Sequence, residues 1–72
     1  MTYTLRQAFL EEGRETLVVT EKLPDEQTAR TRARDLQKHM NEVGYTKNDV
    51  RITLRSYHGQ NIDYNLEEKI DA

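Results

Sequence analysis

The sequence predicts an α+β domain: a single helix packed on one face of a three- to four-stranded antiparallel sheet, in the order β-β-α-β-β. Three observations predict it. Between Leu23 and Tyr45, the residues Ala29, Ala33, Leu36, Met40 and Val43 recur at spacings of four, three, four and three, which keeps all five on one stripe of a 3.6-residue helix. On both sides of that stretch lie short runs in which apolar and polar residues alternate, the period of a half-buried strand. Glycines and polar clusters fall between the runs, where turns are wanted.

Residues 2–10 form the first expected strand, with Tyr3, Leu5 and Phe9 on one side and Thr4, Arg6 and Ala8 on the other. Gln7 interrupts the apolar side and Leu10 the polar one, the mark of a bulge near the strand's end. Glu11-Glu12-Gly13-Arg14 reads as a turn in which glycine supplies a positive φ. The second strand, residues 15–22, has a Leu17-Val18-Val19 centre that is apolar on both faces. Leu17 and Val19 are expected to point at the helix, and Val18 to lie exposed between Thr16 and Thr20.

The helix has local start and stop signals. Asp25 is the expected N-cap, its carboxylate accepting from the amide near Thr28, with Leu23 as the boundary residue and Pro24 at the first helical position as the alternative. Gly44 follows the last periodic residue, where a left-handed conformation ends a helix, and Tyr45 is placed to lean back on Met40. After a polar connection at Thr46-Lys47-Asn48-Asp49, residues 50–57 alternate cleanly. Val50, Ile52 and Leu54 face inward; Arg51, Thr53, Arg55 and Tyr57 face outward. A loop at His58-Gly59-Gln60-Asn61 leads to a short returning strand bearing Ile62, Tyr64 and Leu66. Residues 1–66 are read as one domain and 67–72 as a charged C-terminal tail. A hairpin followed by a crossover through the helix favours the sheet order 2-1-3-4; strand three beside strand two, as a parallel neighbour, is the competing layout.

Seventy-two residues make a small domain that buries only about 60% of its unfolded surface. Its core is thin, and a partner surface is physically useful to it. With 35% hydrophobic and 33% charged residues and no cysteine, the chain excludes disulfides, cysteine-ligated zinc and thiol chemistry. No run approaches the length of a membrane span and no signal-peptide pattern is present, so a cytoplasmic protein with no membrane partner is expected. Net charge is −2, yet residues 30–55 hold seven basic residues against three acidic ones, giving a basic middle between acidic ends.

Chemistry-bearing motifs are sparse. Neither His39 nor His58 has a partner at i+4 with a carboxylate in metal-ligand spacing, so no metal is expected. Ser56 lies two residues from His58 but lacks an orienting acid and oxyanion donors, and reads as a hairpin-end serine. The acid pairs Glu11-Glu12, Asp25-Glu26 and Glu67-Glu68 are adjacent in sequence, so their side chains diverge, unlike an acid–base dyad. Three isolated glycines make no phosphate loop. No enzyme and no cofactor are expected.

Two surfaces remain. Arg30, Arg34 and Lys38 are four apart on one solvent-facing stripe of the helix. Arg6, Arg51 and Arg55 come together on the outer sheet face with Tyr57 if strands one and three are neighbours. The leading expectation is a non-enzymatic protein-binding module, an adaptor, inhibitor or accessory factor of the size phages and mobile elements carry, acting on another protein or on itself as a homodimer. Val18 and a free sheet edge offer the route. The alternative is DNA or RNA binding through either arginine surface.

Overall fold

A computed structural model describes residues 2–66; the expected tail at 67–72 lies outside the described residues. The elements are β1 (Tyr3–Glu11), β2 (Arg14–Leu23), α1 (Glu26–Val43), β3 (Val50–Arg55) and β4 (Asn61–Asp63). They form an α+β architecture with one four-stranded sheet in the order β2-β1-β3-β4. Every neighbouring pair is antiparallel, so β3 lies against β1 and the parallel alternative beside β2 does not occur.

The hairpin between β1 and β2 turns at Glu12 and Gly13, with φ of 52° and 77°. Two successive positive φ values match the right-handed twist of the flanking strands. Three residues before the turn the register slips: Phe9 faces Leu17 while Leu10 faces Glu15, leaving Thr16 as the extra residue of a bulge. The Thr16 hydroxyl donates to the Phe9 carbonyl at 3.4 Å.

The caps of α1 follow from local chemistry. Asp25 sits in extended backbone and its Oδ1 accepts from the Thr28 amide at 2.8 Å, satisfying one of the donors a helix start leaves open. At the other end Gly44 adopts φ 105°. Its amide donates to the Asn41 carbonyl, and the Tyr45 amide to Met40 at 3.0 Å, the paired bonds of a Schellman ending. The Tyr45 ring itself lies edge-on against Phe9, 6.0 Å between centroids. Asp49 closes the next loop by accepting from both the amide and the hydroxyl of Thr46.

Helix and sheet meet in a core of Leu5, Leu23, Ala29, Ala33, Met40, Val50, Ile52, Leu54 and Leu66, with Tyr3, Phe9, Leu36 and Tyr64 packed around it. Ala29 and Ala33 are wholly buried; their methyl groups let the helix backbone approach the sheet closely. Gln7 faces this core and donates to the Met40 sulfur at 3.3 Å, which explains a polar residue on the apolar side of β1. Ala8 is wholly buried on the opposite face. There it lies between Val18 and Arg51 in the ladder, beneath the Arg6 side chain as it runs to Glu15.

Three expectations are corrected here. Leu17 and Val19 lie on the helix side of the sheet yet are 57% and 46% exposed, and Val43 is 58% exposed. The reason is that one helix cannot cover four strands. Its Arg32 flank reaches β2 at Glu21, its other flank is tied to the far side by Gln37 donating to the Asn65 carbonyl at 2.7 Å, and the core beneath it draws on β1, β3 and Leu23. The middle of β2 is left open. The returning strand is also shorter than its alternation suggests. β4 ends at Asp63, although the Tyr64 amide still donates to the Ile52 carbonyl and Leu66 is buried.

Candidate functional site

The sequence-derived candidates divide between two sides of the molecule, because α1 occupies one face of the sheet and leaves the other to solvent. On the open face the ladder sets Thr4 opposite Arg55, Arg6 opposite Thr53 and Ala8 opposite Arg51. Arg6, Arg51 and Arg55 are therefore brought together, over a shallow hollow of about 540 Å³ that Thr4, Thr53, Asn61 and Asp63 also line. Arg6 is held by Glu15. Arg51 and Arg55 have no ion-pair partner among the described residues. The Asp63 carboxylate accepts from the Thr53 hydroxyl at 3.4 Å, so one acid sits within the basic face.

Tyr57 does not join them. β3 ends at Arg55 and the chain turns at Ser56, breaking the alternation that points Tyr57 outward. Its ring packs edge-on against Tyr3 at 6.0 Å and tilts over His58 at 3.8 Å. Tyr3 belongs to the helix-side core, so the aromatic ring expected among the arginines is held away from them. Ser56 serves the turn: its hydroxyl accepts from the Gln60 amide at 3.1 Å, which accounts for that serine without a nucleophilic role.

On the helix, Arg30, Arg34 and Lys38 do not form a free basic stripe. The Arg30 guanidinium donates to Glu26 one turn earlier at 2.9 Å, and that bond with the nearby carboxylate charge raises its pKa further above the usual arginine value. Arg34 and Lys38 remain exposed. Arg32, on the other flank, turns to Glu21 at 3.4 Å. No group of three histidines, aspartates and glutamates among the described residues is arranged to hold a metal ion.

The surface that sequence reasoning underweighted is apolar. β2 is an edge strand ten residues long, and every residue from Arg14 to Thr20 is exposed. Leu17 and Val19 emerge on the helix side and Val18 on the other. Phe9, the ladder partner of Leu17, touches Tyr45, which is itself 37% exposed. Leu17, Phe9 and Tyr45 thus form an apolar shelf beside the end of α1. An apolar row along an unpaired strand edge is unusual on the surface of a monomer. The signal was present in Leu17-Val18-Val19, since a run that is apolar on both faces requires cover on both.

No helix among the described residues is long and apolar enough to cross a membrane. Comparison of the chain with protein-family models, with curated proteins and with solved structures finds no match, so the reading of its function rests on this surface chemistry.

Proposed function

We propose that this chain is a non-enzymatic docking module that binds another protein chain along the open edge of β2, as an adaptor, inhibitor or accessory factor in the cytoplasm. The observation that carries the reading is the exposed Leu17-Val18-Val19 segment on a ten-residue edge strand. Unpaired amides and carbonyls supply backbone affinity for an added strand, and flanking apolar side chains supply specificity. The shelf of Leu17, Phe9 and Tyr45 lies where the side chains of an incoming strand fall.

The test compares protein capture from a cell lysate by the wild-type chain, by Leu17→Lys with Val19→Lys, and by Arg51→Gln with Arg55→Gln. Loss of capture in the lysine pair and retention in the glutamine pair is expected. Capture indifferent to the lysine pair overturns the reading.

A second reading, nucleic-acid binding, is favoured by one observation: Arg51 and Arg55 lie together, unpaired among the described residues, beside Arg6 on a concave sheet face. Phosphate contacts of that kind make affinity fall steeply with salt, by a slope of about 0.9 per duplex phosphate neutralised. Fluorescence anisotropy with labelled single- and double-stranded oligonucleotides across a salt series tests it. Absence of binding at low salt removes it, as does binding unaltered by Arg51→Gln with Arg55→Gln.

A further inference from the structure

We propose that the occupant of the β2 edge is a second copy of this chain, paired antiparallel about a two-fold axis at Val18. The proposal rests on the docking reading above and names its partner.

Backbone direction comes first. The Leu10 amide donates to the Asp49 carbonyl, on the β3 side of β1, and the Ile52 carbonyl accepts from Tyr64, away from β1. Alternation along β1 therefore turns the backbone groups of Thr4, Arg6 and Ala8 toward β3 and those of Leu5, Gln7 and Phe9 toward β2. Across the β1–β2 ladder, Leu17, Val19, Glu21 and Leu23 face Phe9, Gln7, Leu5 and Tyr3 and bond inward. Val18, Thr20 and Lys22 consequently present their amides and carbonyls to the open edge. An arriving strand meets a donor and an acceptor at Val18, at the centre of the segment.

Register comes second. A two-fold axis normal to the sheet keeps each side chain on its own face, so two copies of β2 can pair only in steps of two residues. With Val18 opposite Val18, Leu17 meets Val19 of the second copy on the helix side, and Thr16 meets Thr20. Every apolar residue of the segment then faces an apolar one. One step toward the C-terminus sets Leu17 opposite Glu21, a carboxylate against the apolar row. One step the other way carries Val19 past Thr16, where the bulge breaks the pairing, so the register centred on Val18 is the one that sets the whole apolar run against itself.

Charge comes third. Simple arithmetic in this register also sets Glu15 opposite Glu21 of the other copy. The bulge at Thr16 prevents the clash by turning Glu15 to the outer face, where Arg6 holds it, while Glu21 stays on the helix side with Arg32. Beyond the bulge the alternation is offset by one residue, so Arg14, opposite Glu11, and Lys22, opposite Thr4, lie on different faces and are not brought together. Charged residues bracket the uncharged run from Thr16 to Thr20 and limit pairing to it. The opposite sheet edge, β4, is three residues long and carries Asp63, so association closes as a dimer instead of propagating. The result is an eight-stranded sheet with Leu17 and Val19 of both copies in one row between two helices.

The chain contains no cysteine, so a single introduced thiol reports on contact between copies without background. The experiment measures solution mass by light scattering on the full chain, and disulfide formation under mild oxidation in Val18→Cys, Thr20→Cys and Lys22→Cys. Twice the 8.5 kDa of one chain is expected, with cross-linking at position 18 alone: directly opposed residues of a hydrogen-bonded pair stand about 5.5 Å apart, within disulfide reach. Val18→Pro removes only an outward amide, which an edge strand tolerates; it is expected to be a monomer with unchanged far-UV circular dichroism. The cross-link stands whether or not the proline variant folds. A monomer at millimolar concentration overturns the proposal, and so does a dimer without the position-18 cross-link. A monomer whose lysate capture is still abolished by Val18→Pro overturns self-pairing while leaving strand addition intact. Capture indifferent to that variant overturns both.

Discussion

The two ends of the sheet teach different lessons about how a small chain spends its apolar residues. Under the helix, Val50, Ile52 and Leu54 of β3 are almost completely buried against Ala29, Ala33 and Met40. Along β2, Leu17, Val18 and Val19 are no less hydrophobic, yet all three stand more than 40% exposed. The difference does not come from propensity, since both segments are good strands. It comes from cover: one helix of 18 residues shields β3 and the core residues of β1 and leaves the middle of β2 open. The covered end holds the fold together, and the uncovered end is available for binding.

If that division is right, substitutions at the covered end cost stability and substitutions at the open end do not. The largest expected effect is at Ile52, which has no solvent exposure. Ile52→Ala removes buried methyl and methylene groups and leaves a cavity under the helix, at a cost of about 2–5 kcal/mol. A domain this small has little stability to lose, so urea denaturation should show the variant largely unfolded without denaturant. Retention of more than half the wild-type unfolding free energy would break the comparison.

Ala33→Leu probes the same interface from the opposite direction. Ala33 is wholly buried where the helix approaches the sheet, so extra side-chain volume must push the two apart, at about 1–3 kcal/mol. A lowered denaturation midpoint is expected; a raised one would reveal an unfilled space at the helix–sheet contact. Gly44→Ala is expected to cost about 1 kcal/mol, because the Schellman ending holds this position at φ 105°, where a Cβ is strained.

The N-cap gives a pH dependence whose sign can be worked out. Hydrogen bonds from the amide and hydroxyl of Thr28 hold the Asp25 carboxyl below its ordinary pKa. A carboxylate depressed in the folded state stabilises it above the ordinary aspartate value, and the contribution is lost as pH falls through the lowered one. Wild-type stability should therefore decline in acid more than that of Asp25→Asn, which keeps a capping oxygen but cannot titrate. Parallel pH profiles of the thermal midpoint would count against this role for Asp25.

The covered end was legible in the sequence because its determinants are local or topological. Asp25 and Gly44 act on amides within four residues of themselves, and a hairpin followed by a crossover leaves few sheet orders. Alternation told which way Leu17 and Val19 point but not what lies above them; that depends on where α1 lies across the sheet, with Arg32–Glu21 on one flank and Gln37–Asn65 on the other. Arg6, Arg51 and Arg55 were legible as a group because alternation puts Arg51 and Arg55 on one face of β3, and pairing with β1 sets Arg6 opposite Thr53 between them. Tyr57 was not, since one turn residue at Ser56 ends the alternation on which its placement relied.

The smallest expected change in stability is at the open end, and it is the most informative. Leu17→Thr with Val19→Thr places β-branched residues in the strand while removing apolar surface that water already wets. Little burial is lost, so the monomer's stability should shift by no more than about 0.5 kcal/mol. Its solution behaviour should change sharply: the exposed row that favours association is gone, and the variant should stay monomeric at concentrations where the wild-type chain pairs. Measured at low concentration by urea denaturation and at high concentration by light scattering, the two quantities separate. A loss of 2 kcal/mol or more in the dilute variant would mean that Leu17 and Val19 hold the monomer together, and that β2 belongs to the core and not to the docking surface. Equal stability with lost association would mean that these residues have been kept apolar for a surface outside the single chain.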